Sequence, residues 1–341
     1  MKRIPILIAT VLLLAACEKQ IELDIEYTEP QVVVMSQNDA DNPVSLTLTY
    51  SRPVFGTYYV RNGEDYFQQI TNATATLSVN GGGTITATRT DGTYTFTHTP
   101  HSGEQLALIV NVPDKGIFTA TTTVPQAPQV GNITHSIRSN SAESEDVSIS
   151  MFIPITDRGG STDYYSIIMH QFDTVCYTYY DNDGAVIDHD TLTFSDEWFE
   201  CQDQLIVDNM DYEAILEGMA PVTTFYGDEL LFTDARIDGS THNIELHTYL
   251  NLYRYSYEGQ NIEGHYNDNY TYVVHTTFHI EVATLSHDHY LFRQTLNNYS
   301  NDDMIGLFSE PIQIHSNIIG GIGIFGVCSK KTFSYQFDYQ P

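Results

Sequence analysis

The sequence has 341 residues, of which 41% are hydrophobic, enough to build packed cores and too many for a disordered chain. Its 44 acidic residues against 14 lysines and arginines give a formal net charge of −30, which repels nucleic-acid phosphates and excludes nucleic acid as a partner. The acids are scattered, with Glu143, Glu145 and Asp146 the nearest approach to a run, so the charge reads as a solvated surface.

The chain opens on basic Lys2 and Arg3, followed by an apolar stretch, Ile4 to Leu14, broken only by Pro5 and Thr10. That stretch is too short for a membrane span, which needs about 20 residues, and has the form of a secretory signal. It ends in Leu14-Ala15-Ala16-Cys17, which resembles the lipobox of bacterial lipoproteins. The resemblance implies a signal peptide over 1–16, cleavage before Cys17 and lipidation of Cys17, with residues 17–27 as a tether. Several acyl chains on one cysteine anchor firmly, at about 0.8 kcal/mol per buried methylene. Glu18, Glu22, Asp24 and Glu26, interrupted by Lys19, are similar to the surface-export signal of Bacteroidota lipoproteins. The expected location is the outer membrane, facing the cell surface in preference to the periplasm.

Period-2 alternation dominates the rest of the chain and predicts strands. The runs are Val44, Leu46, Leu48, Tyr50; Ala73, Ala75, Leu77, Val79; Tyr94, Phe96; Leu106, Leu108, Val110, Val112; and Val147, Ile149, Met151, Ile153, Ile155. Turn residues separate them, among them Asn80-Gly81, Asp91-Gly92, Ser102-Gly103 and Asp183-Gly184. The pattern predicts a mainly β protein of two β-sandwich-like domains: an immunoglobulin-like one over 28–125 and a larger β-rich one over 129–341 with one or two short helices. Pro125-Gln126-Ala127-Pro128 reads as the punctuation between them, with 126–128 as linker. Ser286 to Asn298 is the best helix candidate and Asn209 to Glu217 a weaker one.

Few motifs suggest chemistry. With Cys17 lipidated, Cys176, Cys201 and Cys328 remain; Cys176 and Cys201 are the nearest pair for a disulfide, and spacing alone leaves it open. Gly321-Ile322-Gly323-Ile324-Phe325-Gly326 matches a dinucleotide-binding pattern, but strand-like sequence follows it where a helix is required, so the glycines read as a tight backbone crossing. Asp181-Asn182-Asp183-Gly184 resembles the middle of a calcium loop, yet a hairpin turn accounts for it as well. Asp181 and Asp183 are thus weak candidates for a Ca2+ site outside the EF-hand class. The 13 histidines include His287, His289, His275 and His279, without a zinc-protease spacing. Tyrosine is abundant, 24 against one tryptophan. Tyr249, Tyr253, Tyr255 and Tyr257 fall on one face of an expected strand and are candidate binding aromatics for a sugar or peptide; tyrosine also simply suits strands.

Four stretches together resemble the uncharacterised Bacteroidota lipoproteins grouped as domain-of-unknown-function family 4249. They are Cys17–Asp24 leading into Pro30–Val34, Gly116–Pro125, Phe232–Asp234 with Asp238-Gly239, and the string Ser309-Glu310-Pro311 through Ser316-Asn317-Ile318 to Gly326. The resemblance implies a surface or periplasmic lipoprotein, often encoded beside a TonB-dependent outer-membrane receptor, and supplies no catalytic residue. The expected role is a non-enzymatic binding or accessory component of such a transporter. The alternative is a surface hydrolase acting on glycan or peptide.

Overall fold

The structure, a computed structural model, describes residues 29–51, 68–139, 146–204, 206–207, 224–265, 269–301 and 313–341. Cys17, the tether, the weak helix candidate at 209–217 and Ser309–Pro311 lie outside the described residues.

The first eight strands are β1 (Val32–Asp39), β2 (Ser45–Tyr50), β3 (Thr74–Val79), β4 (Thr84–Thr86), β5 (Thr88–Thr90), β6 (Thr93–Thr95), β7 (Gln105–Val112) and β8 (Gly116–Thr123). Then come β9 (Gln129–Val130), β10 (Thr134–Ser139), β11 (Asp146–Thr156), β12 (Tyr164–Tyr180), β13 (Val186–Asp196), β14 (Phe199–Cys201), β15 (Phe225–Gly227), β16 (Glu229–Thr233) and β17 (Thr241–Asn251). Helix α1 (Leu252–Gln260), β18 (Asn269–Leu285), helix α2 (His287–Asn301) and β19 (Ile322–Tyr339) complete the described elements. Among the described residues the protein is therefore mainly β, with several sheets and the two short helices α1 and α2.

A long sheet runs β13-β12-β18-β19-β1-β2-β6-β5, with β16 also paired to β12; a second runs β10-β11-β17-β14-β15, with β9 on β11; a third runs β4-β3-β7-β8. Alternation sets the layers, because successive side chains in a strand point to opposite faces. All the predicted inward positions of β7 and β11 are buried, including Leu108 and Ile149, as are Leu46 and Leu48 of β2 and Ala75 and Leu77 of β3, whereas Tyr50, Ala73 and Val79 are half-buried. One core gathers β1, β2, β6 and the start of β19 against β3, β7 and β8. The other gathers β12, β18 and the rest of β19 against β11, β14 and β17. The change-over falls between Val124 and Ile133, at the prolines, but the first core also takes Ile318, Phe325 and Val327 from the far end of the chain. The prolines are pinned there: Ser329 Oγ donates to the Pro125 carbonyl at 2.7 Å.

β19 therefore serves both cores. Its first half pairs in parallel with β1, Val33 opposite Ile322 through Asp39 opposite Cys328. Its second half pairs antiparallel with β18, from Cys328 opposite Leu285 to Tyr339 opposite Val274. The glycines of the Gly321–Gly326 string make this crossing possible, as the sequence suggested. Gly323 has φ +118°, and a Cβ there would overlap the Val34 carbonyl oxygen. A Cβ on Gly326 would sit 2.7 Å from His289 Cβ, so α2 lies directly on the strand at that point. Asn317 extends the pattern: its Oδ1 accepts from Phe325 N at 2.9 Å and its Nδ2 donates to Phe325 O at 3.0 Å. Its side-chain amide thus serves both backbone groups of Phe325, much as a neighbouring strand would.

The helices pack against interior strands, α2 on β19 and β12 and α1 on β11. Ser286 accepts from Val327 N through its hydroxyl at 3.2 Å and opens α2 through Tyr290 N to Ser286 O at 3.0 Å. Arg293 of α2 reaches the buried Glu229 at 2.9 Å, and Ser166 Oγ donates to the same carboxylate at 2.5 Å. Asn251 caps α1 by accepting from Arg254 N at 2.8 Å.

Two expectations follow. Gly323→Ala combines a left-handed φ with backbone overlap and should lower stability by at least about 2 kcal/mol, whereas Gly81→Ala, with φ +68° but open space around it, should lose only about 1 kcal/mol. The urea midpoint of each variant checks this. The second concerns pH. Burial, with the Arg293 charge adding, pushes the His289 imidazole down to about 4 from 6.5. The unfolded chain therefore takes up this proton first, so the stability from the neutral ring is intact above pH 6.5 and lost as pH falls to about 4. At roughly 1.4 kcal/mol per unit, the loss is about 3 kcal/mol. Denaturant titrations should show the stability gap between wild type and His289→Asn narrowing across that window.

Candidate recognition face

The outer face of the β10-β11-β17-β14-β15 sheet carries a patch of exposed aromatic rings among polar groups. Alternation in β17 buries Ile244, Leu246 and Leu250 and turns Glu245, His247 and Tyr249 outward. Register extends the row across the sheet: His247 stands opposite Ser150 of β11 and Glu200 of β14, and Glu200 opposite Tyr226 of β15. Trp198, just before β14, packs on Tyr226 with ring centroids 5.3 Å apart. Trp198, Tyr226 and Tyr249 are 49%, 62% and 42% exposed, high values for rings of this size. The His247 ring is oriented from both sides, with Nδ1 3.0 Å from Ser150 Oγ and Nε2 3.8 Å from Glu245 Oε1. Such a surface offers flat π-faces for stacking and carboxylate and imidazole groups for hydrogen bonds, the chemistry that recognises a sugar ring or an extended peptide.

Sequence parity assigned the tyrosines only in part. Tyr249 faces outward from β17 as expected, but Tyr253, Tyr255 and Tyr257 are not on a strand, because the Asn251 cap starts α1 immediately after β17. At 3.6 residues per turn, Tyr253 and Tyr257 share the exposed helix face, stacked 6.4 Å apart, and Tyr255 is turned into the core. The Tyr255 hydroxyl donates to the buried Asp173 at 2.6 Å, and Asp173 also accepts from Gln171 Nε2 and Thr276 Oγ1 at 2.7 Å each. Trp198, Tyr226, Glu200, Glu245 and His247 escaped the sequence reading. The alternation of 244–250 was a usable signal, whereas the neighbours across the sheet depend on strand order.

Cys176 and Cys201, the pair that spacing left open for a disulfide, are not bridged; both are free thiols, as is Cys328. Cys176 takes an outward position of β12, where Thr191 Oγ1 lies 3.9 Å from its sulfur, while Cys201 is buried in the other sheet. Their side chains thus occupy different layers. Burial pushes the Cys201 thiol up to about 11 and the Cys328 thiol up to about 12, so both stay protonated. Asp181 and Asp183 belong to the β12–β13 turn. Asp181 Oδ1 accepts from Asp183 N at 2.9 Å and Ala185 N at 2.8 Å, a turn-closing role. Neither joins a three-donor group among the described residues. His289 is buried against Gln37 at 3.1 Å, and His275 pairs with Asp338 at 2.7 Å on the surface.

One carboxylate cluster has shifted acidities. Asp157, Asp234 and Asp238 bring oxygens within 4.8 Å of one another. Burial raises Asp234 and Asp163 above the usual carboxylate range; burial also works on Asp157, but the N–H groups of Gly239 and Gly159 and the Tyr165 hydroxyl together hold it below. Most of this donor capacity is spoken for. Asp157 Oδ2 accepts from Gly159 N at 2.7 Å and Gly239 N at 2.9 Å, Asp234 from Asp163 N at 2.9 Å, and Asp238 from Gly160 N at 3.0 Å. The cluster ties the 157–163 loop to the 234–239 loop. A separate polar cleft of about 210 Å³ lies where the start of α2 meets β8, lined by Gln105, Thr121, Thr122, Thr123, Ser286, His287 and Asp288.

No curated protein matches the chain. A solved structure, described as giving the structural basis for the promiscuous specificity of carbohydrate-binding modules from the β-sandwich superfamily, is similar at 11% identity, over 66% of this chain and 93% of that chain. Its TM-score of 0.17 carries no argument about fold or ligand. The model of the family described as "Domain of unknown function (DUF4249)" matches residues 18–334, nearly the whole chain, and the chain belongs to that family.

Proposed function

We propose that this protein is a lipid-anchored outer-membrane lipoprotein, displayed at the cell surface, that works as a non-enzymatic binding or accessory component of a TonB-dependent transporter. The observation that carries this reading is the exposed row of Trp198, Tyr226 and Tyr249 around His247, Glu200 and Glu245 on the outer face of one sheet. Rings clustered on a regular sheet face are held by the strands beneath them, so little entropy is lost when they meet a ligand. The lipobox at Cys17 and the family membership support the anchored location. On this reading the two cores are β-sandwich-like units, the first immunoglobulin-like, that share the long sheet. The second reading, a surface hydrolase of glycan or peptide, draws on the raised acidities of Asp163 and Asp234.

Affinity purification of the lipidated protein from its own membrane separates the two. Reproducible recovery of a TonB-dependent receptor is the expected result. Trp198→Ala combined with Tyr226→Ala should reduce that recovery at least tenfold if the face is the contact, since buried aromatic anchors at interfaces contribute about 2 kcal/mol or more. A protein that comes down alone and turns over a glycan or peptide library, with activity lost in Asp234→Asn, overturns the accessory role.

A further inference from the structure

The turn between β6 and β7 holds a second site of a different kind. His98, His101 and Glu104 bring one ligand atom each to within 4.8 Å of the others. His98 Nε2 is 2.8 Å from Glu104 Oε2, and His101 Nδ1 is 3.4 Å from Glu104 Oε1. We propose that these three side chains bind one divalent transition-metal ion of the zinc type, leaving a coordination position open to solvent.

Four observations carry the assignment. The donor set is two imidazole nitrogens and one carboxylate, which suits borderline metals such as Zn2+ and does not suit Ca2+ or Mg2+, whose sites are built from oxygen. The spacing is close to what the ion needs: metal–ligand bonds of about 2.1 Å in a tetrahedron place donor atoms about 3.4 Å apart; His101 Nδ1 and Glu104 Oε1 stand at 3.4 Å, and His98 Nε2, 2.8 Å from Oε2, exchanges that hydrogen bond for the ion. The frame is already fixed, because Val44 N donates to the His98 carbonyl at 2.9 Å and Val124 N to the Glu104 carbonyl at 2.9 Å. The carboxylate is aimed from within the turn, with His101 N donating to Glu104 Oε2 at 2.9 Å, which is the orienting contact that ligating carboxylates require. Access completes the picture. The His98 and Glu104 side chains are each 19% exposed, while His101 is 76% exposed, so the ion can enter past His101 and keep a water or a partner's donor in its fourth position.

An ordinary ion pair would need only His98 and Glu104. The same turn places His101 on the other oxygen of that carboxylate, which an ion pair does not call for. The cluster Asp157, Asp234 and Asp238 is the other three-donor group among the described residues, and its all-oxygen donor set does not suit an ion of the zinc type.

The test is calorimetric titration of the full-length chain in detergent, prepared without a polyhistidine tag, with ZnCl2 alone. One Zn2+ per chain should bind tightly, and His98→Ala, His101→Ala and Glu104→Gln should each weaken it by about tenfold or more. His101 is mostly exposed, so its removal should leave the fold intact, as a circular dichroism spectrum unchanged from wild type would record. His275→Ala, which removes a surface histidine on β18, should leave the affinity unchanged. Replacement of Zn2+ by Co2+ adds a visible spectrum whose intensity distinguishes four-coordinate from six-coordinate metal; the four-coordinate form is expected. Titration curves that are the same for wild type and His101→Ala, or an affinity that falls equally in His275→Ala, overturn the proposal.

Discussion

The parallel ladder between β1 and β19 is the contact on which both cores depend. Parallel neighbours require a crossover, and here the crossover is everything between Asp39 and Ile322. The first core cannot close until the last strand arrives, since Phe325 and Val327 are part of it. The ladder in turn needs backbone to approach backbone more closely than any Cβ allows at Gly323. Polar groups converge where β19 passes from one core to the other. Lys330 bridges Glu281 of β18 at 2.9 Å and Asp39 of β1 at 3.3 Å, and Ser329 ties the strand to Pro125. The string Ser316-Asn317-Ile318 to Gly326 is therefore architectural: Asn317 serves the Phe325 backbone and the glycines admit β1 and α2.

Tyrosine has a comparable division of labour in the second core. Tyr177 and Tyr179 are buried on β12, and their hydroxyls donate to the carbonyls of Tyr255 at 2.7 Å and Gly259 at 2.8 Å in α1. Phenylalanine would supply the same apolar area but not these two hydrogen bonds. The helix lies so close that a Cβ on Gly259 would overlap the Tyr177 ring. Burial holds both Tyr177 and Tyr255 above the usual phenol range, so they act as donors at any physiological pH. Several of the described tyrosines thus fasten α1 over the core, whereas Tyr226 and Tyr249 expose their rings to solvent.

Strand positions were legible because alternation is a local property: Val147 to Ile155 reads as one buried face and is one. The start of α2 was legible for the same reason, at Ser286. The errors came where a local rule was extended past a boundary. Parity carried beyond Asn251 put three helical tyrosines on a strand, although the asparagine cap was there to read. Proximity in sequence suggested Cys176–Cys201, while parity within β12 turns Cys176 away from the core that holds Cys201. The pairing of β1 with β19 and the meeting of Trp198 with Tyr226 depend on which strands become neighbours. A single sequence does not encode that in any local pattern.

A flat face with three exposed rings is a weak binder taken alone, because association must first offset the loss of translational and rotational freedom. Anchoring changes the arithmetic. If Cys17 is lipidated as proposed, the protein and a membrane partner are confined to one surface, and the second contact becomes effectively intramolecular, at concentrations that reach the millimolar range for short linkers. A modest face then suffices for high occupancy. The topology suits this use: β1, the first described strand after Cys17, lies in the long sheet, whereas the aromatic row lies on the β10-β11-β17-β14-β15 sheet, none of whose described residues joins the first core. The strand that follows the proposed anchor and the face that would meet a partner thus belong to different sheets, so contact at one need not displace the other.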